Sequence, residues 1–88
     1  MFETVEIKDI KNELGALVKA LRKQRGLSQG QLAKSLDVSR TTIQNLELGK
    51  NFTVDTLLKV LKHMDLLEQL HQVLTDTKTA TTNTKSLY

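Results

Sequence analysis

Four polar side chains, Arg40, Thr41, Gln44 and Asn45, recur at positions i, i+1, i+4 and i+5, so any helix that carries them shows them on one face. Their chemistry is that of reading flat hydrogen-bonding edges. Arg presents paired donors to guanine, Asn or Gln sets a donor and an acceptor against adenine, and Thr offers a hydroxyl together with a methyl. Around them stand Ser28, Gln29, Ser39, Thr42, Lys50 and Asn51, polar or cationic residues near the starts and the end of the same segment. Such side chains, with the free amides of a helix start, hold phosphate oxygens, and they fix position rather than sequence preference.

The elements that must position these groups are legible between Leu27 and Lys50, LSQGQLAKSLDVSRTTIQNLELGK. Ser28 is a helix cap, and Gln31 three residues later completes a Ser-x-x-Gln capping box. Leu32, Ala33 and Leu36 follow at helical spacing, and the small Ala33 lets a neighbouring helix cross closely. Asp37 suits a tight turn and Val38 fills the angle after it. Ser39 caps a second helix from about Arg40 to Leu48, with Ile43 and Leu46 inward, Glu47 beside them and Gly49 as the stop. Two capped helices and a short turn make a helix-turn-helix pattern, and the outward polar set makes sequence-specific DNA binding the leading function.

The flanking segments supply a scaffold. Leu14, Leu17, Val18 and Leu21 predict a first helix from near Ile10 to near Arg25, ended by Gly26, with Arg22, Lys23 and Arg25 suiting the negative end of its dipole. Phe52 reads as a core anchor, and Thr53 or Asp55 caps a fourth helix built on Leu57, Leu58, Val60 and Leu61, with Met64 filling a gap. Asp65 and Glu68 look like another capping box, opening a fifth helix with Leu66, Leu67, Leu70, Val73 and Leu74. So much apolar surface near one end of a small domain predicts a homodimer, and a twofold dimer sets two reading helices about one DNA turn apart on a palindromic operator in double-stranded DNA. Residues 1–8 are expected to form an arm or short strand through Phe2, Val5 and Ile7, residues 9–74 the domain, and residues 75–88 a disordered polar tail with Leu87 and Tyr88 as its only possible anchors.

Composition bounds the rest. The chain has 88 residues, enough for one small domain with a modest core. Residues 8–50 hold nine basic and four acidic side chains, a net +5, against −2 for the remainder. The positive half is the half with the reading helix, and such a field speeds encounter with DNA; a merely solvated basic face is the plainer reading of the same charge. There is no cysteine, so disulfides and cysteine-based zinc sites are excluded. No run reads as a signal peptide or membrane span, and a cytoplasmic location is expected. His63 and His71 are the only histidines, no third metal ligand accompanies them, and neither a phosphate-cradling glycine loop nor a nucleophile signature occurs. No cofactor, no metal and no enzymatic activity are expected.

The stretches RKQRGLSQGQLA, DVSRTTIQNLELGK and TVDTLLKVLKHMDL closely resemble the lambda-repressor-like family, of the Cro/C1 or xenobiotic-response-element type, over about residues 14–70. The resemblance implies an all-α, compact five-helix DNA-binding domain. It implies that Gln29 and Ser39 face phosphates, that Arg40, Thr41 and Asn45 approach base edges, and that Arg22 pairs with Glu47 between helices. Read without the resemblance, a solvated residue of a basic last turn is the plainer alternative for Arg22. Two departures are visible: Asp37 stands where the family usually has Gly, and Leu48 where a polar residue is common. LGALVKALRKQRGLSQ and TVDTLLKVLKHMDLLEQL are also similar to small HipB-like antitoxins, which implies a dimeric repressor of its own operon that also neutralises a HipA-like kinase toxin. A stand-alone phage or chromosomal repressor, or a protein-binding adaptor that has lost DNA contact, has the same core pattern.

Overall fold

The computed structural model describes residues 4–86, and their side chains as far as Asn83. It is all-α, with α1 Ile7–Gln24, α2 Gln29–Leu36, α3 Arg40–Glu47, α4 Val54–His63 and α5 Leu67–Ser86. The core lies where one face of each of the first four helices meets, with Val18, Leu32, Ala33, Ile43, Leu46, Val60 and Met64 buried together. Leu21, Leu27, Leu36, Val38, Phe52 and Leu66 close it from the sides. Phe52 is thus a core anchor, and Val38 fills the corner between α2 and α3.

The helix starts follow from short-range chemistry. The Ser28 and Ser39 hydroxyls accept the backbone amides of Gln31 and Thr42 at 3.0 and 3.1 Å. Thr53 does the same for Thr56 at 3.1 Å, so Thr53 and not Asp55 caps α4. In return the Gln31 side chain accepts the Ser28 amide at 2.8 Å, completing the expected box.

The helix ends share one solution. After each of α1 to α4 the chain passes through a left-handed residue, Gly26, Asp37, Gly49 and Asp65 in turn, with φ of 69°, 57°, 74° and 60°. The next amide then bonds five residues back: Leu27 to Arg22, Val38 to Ala33, Lys50 to Asn45 and Leu66 to Leu61, at 2.8 to 3.0 Å. These are Schellman closures, which satisfy carbonyls the helix leaves orphaned. Glycine takes this conformation freely, while aspartate is among the residues that tolerate it. Asp37 in the glycine position therefore keeps the turn intact at a modest strain.

Three expectations need correction. Residues 4–6 form no strand, and α1 already begins at Ile7, three residues before the expected Ile10. Glu6 caps it, with its amide bonded to the Asp9 carboxylate at 2.9 Å, and this box outweighs the alternating pattern. Phe2 lies outside the described residues. Asp65 does not open α5, because it is the left-handed closing residue of α4. Finally, residues 75–86 continue α5 as helix instead of forming an irregular tail. Helix extension adds one bond per residue once a packed turn has nucleated it, and no Gly or Pro interrupts here. The Gln72 amide also bonds Asp76 one turn on, at 2.9 Å. Leu87 and Tyr88 lie outside the described residues.

Leu66, just before α5, packs on the core, Leu67 and Leu70 are half-buried on its first turn, and beyond them the helix projects with its side chains mostly exposed. A radius of gyration of 15.8 Å, against about 12 Å for a compact chain of this length, reflects that projection.

Candidate nucleic-acid interface

α3 is held by its inner face. Ile43 and Leu46 are completely buried, which turns Arg40 and Thr41 outward on the first turn. Gln44 and Asn45 follow one turn later, half-buried at the flank of the helix. The four predicted reading residues thus share one side of α3.

The predicted phosphate-facing residues divide. Ser28 and Ser39 stand at the starts of α2 and α3, both exposed, both with the oxygen occupied by a backbone amide. The Thr42 hydroxyl is turned back to Ser39 Oγ at 2.8 Å. It braces the cap and is the least available of the set. Gln29 is half-buried and its amide donates to Glu47 Oε1 at 3.1 Å. Lys50 is exposed just past the end of α3. The Asn51 side-chain oxygen Oδ1 accepts from Lys11 Nζ at 2.8 Å.

That last bond brings in a residue the sequence reading missed. Lys11 lies 40 positions away on α1, and folding sets its ammonium beside the loop that follows α3. Its one sequence signal is a cation on the half-buried side of α1. Gly15 was missed as well. A Cβ there would stand 2.6 Å from the carbonyl oxygens of Leu46 and Glu47, so only glycine lets α1 cross the end of α3 this closely.

The tilt of α3 is fixed by an ion pair. Arg22 Nε and Nη2 donate to the two oxygens of Glu47 at 2.7 and 3.0 Å, and Arg22 Nη1 donates to the Leu27 carbonyl at 2.8 Å. The side chains are 9% and 3% exposed, so the pair is buried and bidentate. The hydrogen bond that Arg22 donates to Glu47, joined by the carboxylate's charge, holds the Arg22 pKa above its ordinary value against the opposing effect of burial. For Glu47, burial alone would push the carboxyl up, but bonds from Arg22 and Gln29 with the charges of Arg22 and Lys19 leave it below the usual range. One carboxylate therefore ties together α1, the start of α2 and the end of α3. This is the arrangement the resemblance implied, and the solvated reading of Arg22 is set aside.

A second tie lies at the far end of α1. Arg25 donates to the His63 carbonyl at 2.7 Å and to Asp65 Oδ2 at 3.3 Å, fastening α1 to the corner between α4 and α5. Among the described residues no helix is long and apolar enough to cross a membrane, and no three potential ligands gather as a metal site.

Residues 18–68 match the family model described as helix-turn-helix. A curated relative from Methanocella arvoryzae, named "Putative HTH-type transcriptional regulatory protein", is 39% identical over 51 residues. That alignment covers 58% of this chain but only 16% of the relative.

Proposed function

We propose that this chain, which belongs to the helix-turn-helix family as a DNA-binding domain of the Cro/C1-like type, is a dimeric, sequence-specific repressor of transcription. The observation that carries the reading is the division of α3: Ile43 and Leu46 locked into the core, Arg40 and Thr41 exposed on the first turn, Gln44 and Asn45 at the flank. In this reading α3 enters the major groove, and Arg40, Thr41, Gln44 and Asn45 meet base edges. The starts of α2 and α3, with Ser28, Gln29 and Ser39, lie along the backbone, while Lys50 and Asn51 contact phosphate behind α3 and Thr42 steadies the Ser39 cap. Two copies related by a twofold axis occlude a promoter at a palindromic operator. The relative's name, which describes a transcriptional regulatory protein, supports regulation as the task.

The finer assignment, an antitoxin that also binds a HipA-like kinase, is carried by the resemblance alone. Co-purification with a kinase encoded next to this gene is its test.

Selection over random duplexes tests the main reading. Arg40→Ala or Asn45→Ala should relax preference at one or two positions, a loss of about 1–3 kcal/mol for each bidentate contact. Retention of wild-type preference by both variants would show that α3 is not the reading helix.

A further inference from the structure

Two apolar stripes are left partly uncovered, on α1 and on α5, where Leu67 and Leu70 are half-buried. Ile7, Ile10, Leu14 and Leu17 repeat at intervals of three and four along α1, which is the spacing of a coiled-coil seam. Leu14 is half-buried, while Ile10 and Leu17 are 51% and 43% exposed. On α5 the same spacing joins Leu67, Leu70 and Leu74, with Val73 alongside; Val73 and Leu74 are 61% and 60% exposed.

We propose that in the dimer the α1 stripe of one copy seats α5 of the other, reciprocally about a twofold axis. The proposal rests on the dimeric reading above and names its surface. Charge selects this pairing. At 100° per residue, Glu6 and Glu13 border the α1 stripe on its solvent side, whereas His71 and Lys78 border the α5 stripe. All four are exposed. Lys11, on the other border of the α1 stripe, has its ammonium on Asn51, and Lys8 lies 3.8 Å from Glu6 on the outer surface. Asp76 and Glu68 stand on the side of α5 away from the seam. Pairing α5 with α5 would set the Lys78 flanks together and leave the α1 stripe bare. Pairing α1 with α1 would face glutamates with glutamates. Crosswise pairing covers both stripes and opposes unlike charge, and a reciprocal contact of this kind closes after two copies.

Sedimentation equilibrium of the full chain tests this. The wild type should be a dimer at micromolar concentration. Leu17→Glu and Leu74→Glu should each raise the dimer Kd by roughly tenfold or more. Circular dichroism should show native helix content, with Ile10→Glu as the second α1 variant if Leu17→Glu is misfolded. Glu13→Lys and Lys78→Glu should each raise Kd roughly threefold, and the double exchange should restore it. A dimer weakened by Leu74→Glu but untouched by Leu17→Glu and Ile10→Glu would overturn the crosswise seat and leave the dimeric reading standing. A wild-type monomer, with and without operator DNA, would overturn both.

Discussion

Replacing Glu47 by Gln removes one charge from a pair whose side chains are 9% and 3% exposed. The guanidinium of Arg22 stays buried, and its Nε and Nη2, which now donate at 2.7 and 3.0 Å to carboxylate oxygens, face a neutral amide. Removing one partner of a buried pair costs about 3–5 kcal/mol, because the other charge is left uncompensated. A domain of this size has a total stability of roughly 4–13 kcal/mol, so Glu47→Gln consumes a large share of it. At about 4–8 °C per kcal/mol the melting temperature should fall by at least ~12 °C. The double variant Arg22→Met with Glu47→Leu removes both charges and should recover most of the loss. Urea denaturation followed by circular dichroism measures all three chains. The same carboxylate makes stability depend on pH. Its folded pKa lies below the unfolded one, so its contribution is complete above the ordinary glutamate range and is lost as pH falls through the depressed folded value. The wild type should therefore weaken toward acid more steeply than the double variant. A loss below about 1 kcal/mol for Glu47→Gln, or equal acid slopes for wild type and double variant, would refute the assignment of the pair as the tie between α1 and α3.

Other substitutions test separate parts of the fold and interface. Gly15→Ala should destabilise by about 1–3 kcal/mol in urea titration despite alanine's better helix propensity, because its methyl meets backbone rather than a side chain that can swing away. Asp37→Gly should stabilise by roughly 0.5–1 kcal/mol, since φ of 57° is freer for glycine; a loss would mean that the aspartate side chain supports the turn in another way. Lys50→Ala should weaken all DNA sites about equally and reduce the slope of log K against log salt by about 1, as read by fluorescence anisotropy across a salt series. Lys11→Met should loosen the loop after α3 and reduce affinity for operator and shuffled duplex alike, whereas a change of sequence preference would place Lys11 among the readers.

Much of this protein was written in short-range pattern. Ser28, Gln31, Ser39 and Thr53 act within three residues of themselves, so a cap can be recognised before any tertiary contact exists. The periods of Leu32, Ala33 and Leu36, and of Ile43 and Leu46, identified the inner faces, and by exclusion the outer polar set on α3. Local pattern misled where two local signals competed. The alternation of Val5 and Ile7 suggested an arm, but the Glu6–Asp9 box started a helix. Asp65 had the composition of a cap and took the geometry of a helix end. The polar residues after Thr75 had nothing to bury, yet the helix already nucleated by Leu66, Leu67 and Leu70 carries on through them.

What the tertiary structure alone decided are contacts between distant parts of the chain. Gly15 gave no sign of its role, because the need for a missing Cβ arises only when the end of α3 lies against it. Lys11 and Asn51, or Arg25 and the His63 carbonyl, share no periodicity or motif that could link them. The Arg22–Glu47 pair was anticipated only by resemblance, since its partners are 25 residues apart and a sequence states charge without burial. By itself, then, the sequence determined the helices, their caps and the polar face of α3, which depend on neighbours a turn away. The crossing of α1 over α3, and with it the angle at which that face is offered, was decided by a glycine and a buried ion pair whose partners meet only in the folded chain.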